Sequence, residues 1–163
     1  MGLDMYLSLK KVNYTSSNRT TKNLYPKELH DFEEEIRERN FAGRSIETFY
    51  QVGYWRKANA IHNWFVENCG DGEDLCQEIV VDTDKLEQLK RLCEKVLETP
   101  DLASELLPTT EGFFFGSTEY DDWYFDDIKY TIHILTKVIE FMKKEQLKHD
   151  YDNYYEVIYQ ASW

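Results

Sequence analysis

The chain has 163 residues and 42% hydrophobic content, enough to bury one sizeable core and too few for two large domains. Its net charge of −12 disfavours bulk attraction to nucleic-acid phosphates or to an anionic membrane surface. Aromatic residues make up 15% of the chain, which excludes the disordered and low-complexity classes.

The charge is uneven, because residues 1–27 carry five basic residues against one acidic one and the acidic excess falls on the remainder. The start, Met1-Gly2-Leu3-Asp4-Met5, lacks a basic region before an apolar run, and no window approaches about 18 uninterrupted apolar residues. A cytoplasmic protein with no membrane partner is the expectation. Cys69, Cys76 and Cys93 form neither an even set nor a CxxC pair, so they read as small buried hydrophobes rather than disulfides or zinc ligands. The sequons at Asn13 and Asn18 carry no weight without secretion.

In chain order, Leu3, Met5, Leu7 and Leu9 alternate with polar or amphipathic residues, the period-two pattern of a half-buried strand. Residues 13–25 read as a loop, and Pro26 opens a charged helix from Lys27 to Arg39 that Gly43 ends. A second strand runs over Ile46–Val52 and closes at Gly53, and a helix follows from about Trp55 to Cys69 until Gly70-Asp71-Gly72 breaks it. Residues 78–81 give a short third strand. Asp84 with Glu87 matches a capping box, after which Leu86, Leu89, Leu92, Cys93, Val96 and Leu97 keep helical spacing up to Pro100. A short helical piece fills 101–107, Phe113–Phe115 read as a short buried strand, and a long helix spans about Glu119 to Lys144. The segment from Tyr155 to Ala161 alternates again, and the first and last strands are expected to share a sheet. These elements predict one α+β domain over residues 1–163, with a small mixed or antiparallel sheet packed against about four helices.

Chemistry concentrates in two segments. On a helical wheel from Trp55, Arg56, Asn59 and Asn63 form one polar stripe, with a guanidinium fork and two carboxamides. Asn is a poor helix former, so two of them within a helix need another contact, either a neighbouring loop or a ligand rich in acceptors. His62 falls inside the apolar arc, as a hydrogen-bonded core histidine or as the edge of a pocket. In the second segment Thr118 and Asp121 match a capping box, placing Ser117 and Thr118 at the start of the long helix, where backbone amides attract anions. Glu119, Asp122 and Asp126 fall on a polar face, read as a solvated stripe without a metal or cofactor. No P-loop, Rossmann glycine set, hydrolase elbow or HExxH motif occurs, so catalysis is not the expected activity. His62 with Glu119 or Asp121 is the candidate acid–base pair. The closing Trp163 suggests a terminus docked into the fold, an aromatic pocket or a homodimer seam.

The strings Gly2–Leu7 (GLDMYL), Val52–Phe65 (VGYWRKANAIHNWF), Phe113–Asp122 (FFFGSTEYDD) and Gln160–Trp163 (QASW) resemble a family of small proteins encoded by bacteriophages and prophages. Residues 13–43 depart from that pattern and read as a variable insert. The resemblance implies a viral context inside a host cell. In such a context a small acidic protein acts by binding a host protein, as a nucleic-acid mimic, or by sequestering a nucleotide signal of antiphage immunity. A third reading is a small nucleotide-processing enzyme. The distinctive strings favour a non-catalytic pocket for a nucleotide-like small molecule. Trp55 and Trp123 are stacking candidates, and Arg56 and Lys57 are phosphate partners. Asn59 and Asn63 are base or ribose readers, Ser117 and Thr118 are backbone-amide donors, and His62 and Tyr120 are further lining residues. The mimic reading instead rests on Asp31, Glu33, Glu34 and Glu35.

Overall fold

A computed structural model describes residues 2–14, 45–148 and 153–163. The expected helix at Lys27–Arg39, the end at Gly43 and the acidic residues at 31–35 lie outside the described residues.

Strands β1 (Asp4–Tyr14), β2 (Ser45–Arg56), β3 (Ile79–Val81) and β4 (Asn153–Ser162) form one antiparallel sheet in the order β2-β1-β4-β3. The helices are α1 (Asn59–Cys69), α2 (Thr83–Glu98), α3 (Ala103–Leu106) and α4 (Asp122–Gln146), with a 3-10 turn at Pro100–Leu102. The fold is α+β, and the first and last strands pair along their length, as their alternation predicts. Leu3 and, from β1, Met5, Leu7 and Leu9 join Trp55, Val157 and Tyr159 in a core completed by Phe65 of α1, Leu86 and Leu89 of α2, and Ile128 and Leu135 of α4. The spacing read for α2 holds at Leu86, Leu89, Cys93 and Val96, all buried, and a 2.6 Å ion pair between Lys143 and Glu87 fastens it to α4.

Four local readings are corrected. First, β2 does not close at Gly53 but continues to Arg56, which pairs with Asp4. Leu7 pairs with Gly53 and Ser8 with Gln51, so Val52 is an extra residue that bends the strand. Gly53 is there for close packing: an added Cβ would sit 3.1 Å from Ile134 of α4 and from the Trp55 ring. Second, α1 therefore begins at Asn59, four residues later than expected. Lys57 turns the corner in the left-handed region (φ 62°) and donates its amide to the Leu3 carbonyl at 2.8 Å.

Third, Phe113–Phe115 form a turn and not a buried strand, with Phe113 95% exposed. No strand ladder takes up this backbone; the Phe114 carbonyl accepts from Leu3 and the Phe115 amide donates to Gly112. Fourth, both expected capping boxes move. The cap position of α2 is Asp82, leaving Asp84 in the first turn, and α4 begins at Asp122 with Asp121 as its cap, accepting from the Tyr124 amide at 3.1 Å. Ser117 and Thr118 thus precede the helix.

Of the cysteines, Cys93 is buried, whereas Cys69 and Cys76 are partly exposed; all three are free thiols. Among the described residues no helix is long and apolar enough to cross a membrane.

Candidate functional site

The corner between β2 and α1 meets the loop that leads into α4. Asn59, 3% exposed, holds the two together: its amide nitrogen donates to the carbonyls of Phe115 (3.0 Å) and Ser117 (2.8 Å), and its oxygen accepts from the Thr110 amide (3.0 Å). Opposite Lys57 the loop needs a glycine, because Gly116 has φ 88° and an added Cβ would lie 3.0 Å from the Lys57 Cβ. The Thr109 hydroxyl donates to the Thr118 carbonyl (2.9 Å), and the Tyr120 hydroxyl accepts from the Thr109 amide (3.3 Å). At the base of the loop, the Tyr124 hydroxyl donates to the Leu107 carbonyl (2.8 Å), and burial raises its pKa.

These contacts frame a cavity of about 280 Å³, close to the lower end of small-molecule pockets. Arg56 and Lys57 line it from the end of β2, and Ala58 to Ile61 from the start of α1. Thr109, Ser117 and Glu119 line it from the loop, and Asp121, Trp123, Tyr124, Asp127 and Ile128 from the start of α4. The segments 52–65 and 113–122, whose meeting the sequence leaves open, share this pocket.

Its most distinctive feature is the start of α1. The first amides of any helix lack intrahelical acceptors. Here no side chain caps them and no acidic residue occupies the first turn. The Asn59 amide donates to the Lys57 carbonyl and that of His62 to Ala58, while Ala60 and Ile61 lie on the cavity wall. An uncapped helix start beside a guanidinium and an ammonium group is suited to an anion. Across the cavity Trp123, 79% exposed, presents its indole, and one turn further along α4 stands Asp127. Burial first, then the charges of Asp126 and Asp121, pushes the Asp127 carboxyl up to about 6.

Of the ligand-binding candidates, Arg56, Lys57, Asn59, Ser117 and Trp123 come together at this pocket, whereas Trp55, His62, Asn63, Thr118 and Tyr120 do not line it. Trp55 is 2% exposed and donates its indole N–H to the Thr131 hydroxyl at 2.9 Å, so it is a core residue with no ring face free for stacking. Asn59 spends its amide on the loop, which is the neighbouring-loop alternative. The stripe with Arg56 dissolves because Arg56 is on a strand. Ser117 and Thr118 supply no helix-start amides; the Ser117 hydroxyl instead accepts from the Glu119 amide at 3.1 Å.

His62, 2% exposed, is the hydrogen-bonded core histidine: Nδ1 lies 2.7 Å from the Tyr159 hydroxyl and Nε2 3.0 Å from Asp74, so its carboxylate neighbour is neither Glu119 nor Asp121. Asp74 also accepts from the Trp163 indole at 3.2 Å, so the closing tryptophan docks on the fold. Glu119, Asp122 and Asp126 are exposed, as is His133, and the described residues hold no cluster of His, Cys, Asp or Glu suited to a metal ion.

Sequence reasoning missed the amides of Ala60 and Ile61, because the helix was started too early. It also missed Asp127, although a signal existed: on the α4 wheel that carboxylate falls off the polar stripe, among apolar positions.

No family model, curated protein or solved structure matches the chain.

Proposed function

We propose that this pocket captures a nucleotide-derived small molecule by its phosphate and holds it without turning it over. The observation that carries the reading is the uncapped start of α1, flanked by Arg56 and Lys57 and opening into a cavity. A phosphate oxygen at Ala60 and Ile61 would satisfy orphan amides while the guanidinium fork neutralises its charge. Trp123 offers a ring for stacking a base, and the carboxylate of Glu119 is an acceptor for ribose hydroxyls or an exocyclic amine. Lys57 is held in a conformation that L-residues rarely adopt, a form of strain that clusters at ligand sites. His62, the acid–base candidate, is engaged by Tyr159 and Asp74 and does not line the cavity, which favours retention over chemistry. Together with the resemblance to phage- and prophage-encoded proteins, this reading makes the protein a stoichiometric sink for a host nucleotide signal in the host cytoplasm.

Isothermal titration with cyclic AMP and ADP-ribose tests it. One or both bind the wild type and are recovered unaltered, whereas Arg56→Ala loses binding with its melting temperature nearly unchanged, since Arg56 is exposed and outside the core. Arg56→Ala that binds normally would overturn the reading, and recovery of a cleaved nucleotide would move it to catalysis.

A further inference from the structure

We propose that Asp127 sets the charge this pocket accepts: ionised, it repels a bound phosphate, and protonated, it admits one, so that ligand capture takes up a proton. The inference rests on the phosphate-binding reading above and adds its regulation. Asp127 lines the same cavity as Arg56 and Lys57. A phosphate held in that confined space lies in the field of a carboxylate on its wall, where screening is weaker than in open solvent.

The charged surroundings have one sign on the α4 side and the opposite sign on the β2 side. Asp126 and Asp121 approach from α4 and its cap, Glu119 from the loop, and Arg56 and Lys57 from the end of β2; the Tyr124 phenol, donated to Leu107, completes the wall. The neighbouring ammonium of Lys129 is paired with Asp126 at 2.9 Å, and no ion pair reaches Asp127 among the described residues. The Thr131 hydroxyl donates to the backbone carbonyl of Asp127, leaving its carboxylate unsupported.

The cavity thus carries two cations against three carboxylates, and protonation of Asp127 equalises them. A bound phosphate disfavours the ionised form of Asp127 still further, and by reciprocity the protonated protein binds the phosphate more tightly. Affinity is therefore highest below about 6, where the carboxyl is protonated, and falls as the pH rises.

Cyclic AMP is the probe, because its phosphodiester keeps a single charge from pH 5 to pH 8. Wild-type protein should bind it about tenfold more tightly at pH 5 than at pH 8, which corresponds to a rise of about one pK unit at Asp127 on binding. Calorimetry in two buffers of different ionisation enthalpy should show proton uptake near pH 6.5. Asp127→Asn, of the same shape and neutral throughout, should bind at all pH values with the affinity the wild type shows at pH 5. Wild-type affinity that is flat with pH, without proton uptake, while Arg56→Ala still loses the ligand, would overturn this inference and leave the pocket intact. A pH dependence that persists in Asp127→Asn would also overturn it. If cyclic AMP does not bind, ADP-ribose, whose diphosphate also keeps its charge from pH 5 to pH 8, replaces it in the same series; absence of binding of both nucleotides by both proteins at every pH would overturn the pocket reading as well.

Discussion

Asp127 has a consequence for stability as well as for binding. A carboxyl held at about 6 in the fold titrates near 3.9 in the unfolded chain. Between these values the native state keeps a proton that the unfolded chain has released, so stability falls as the pH rises from about 4 to about 6, and the ionised group remains unfavourable above that. Asp127→Asn should therefore raise the melting temperature at pH 7.5 and leave it unchanged at pH 4. An equal gain at both would show that the effect is not the buried charge. Placement at the pocket was legible where the side chain stays exposed, as for Arg56, Lys57 and Trp123. Where a polar side chain is absorbed by the fold, the sequence leaves a fold partner and a ligand both open, as for Asn59 and His62, or misleads, as for Trp55. Asn59, His62 and Trp55 carry the same donors and acceptors whether these meet a ligand or a neighbour, and only the three-dimensional partner decides.

At the scale of elements, the site depends on one junction. The loop from Leu107 to Asp121 holds its place through Leu3, the Tyr124 hydroxyl and above all the three hydrogen bonds of Asn59. With each bond contributing about 0.5–1.5 kcal/mol, Asn59→Ala should cost about 2–4 kcal/mol and also abolish ligand binding, because the wall bearing Ser117 and Glu119 is released. Denaturant unfolding measures the first effect. A loss of binding at full stability would instead make Asn59 a direct reader of the ligand. Periodicity predicted most of the described elements, since Leu3 to Leu9 and Leu86 to Val96 each bury one face. It missed the start of α1, because the bend at Val52 breaks the strand alternation and the backbone reversal sits at Lys57 rather than at a glycine. The aromatic run 113–115 misled for a related reason: hydrophobic residues predict burial, yet this turn is held by backbone contacts and leaves Phe113 in solvent.

For the whole molecule, an acidic body with net charge −12 gathers two cations, Arg56 and Lys57, beside the start of α1, in a cavity that also holds Glu119, Asp121 and Asp127. That arrangement excludes polyanions over most of the surface while leaving one confined place for a single small anion, which suits a small-molecule binder better than a nucleic-acid partner. The α+β class and the pairing of the first and last strands were legible because both depend on patterning alone. The pocket was half legible: its residue types stand in two distinctive strings, whereas their meeting depends on the left-handed corner at Lys57 and the Gly116 turn opposite it. The central claim concerns backbone amides, so the most direct measurement is a nitrogen–proton correlation NMR titration with cyclic AMP and ADP-ribose at pH 6. The account predicts that the amide signals of Ala60 and Ile61 move most, together with the Trp123 indole, and that Arg56→Ala suppresses the change. Shifts that bypass the start of α1, or none with either nucleotide, would contradict it.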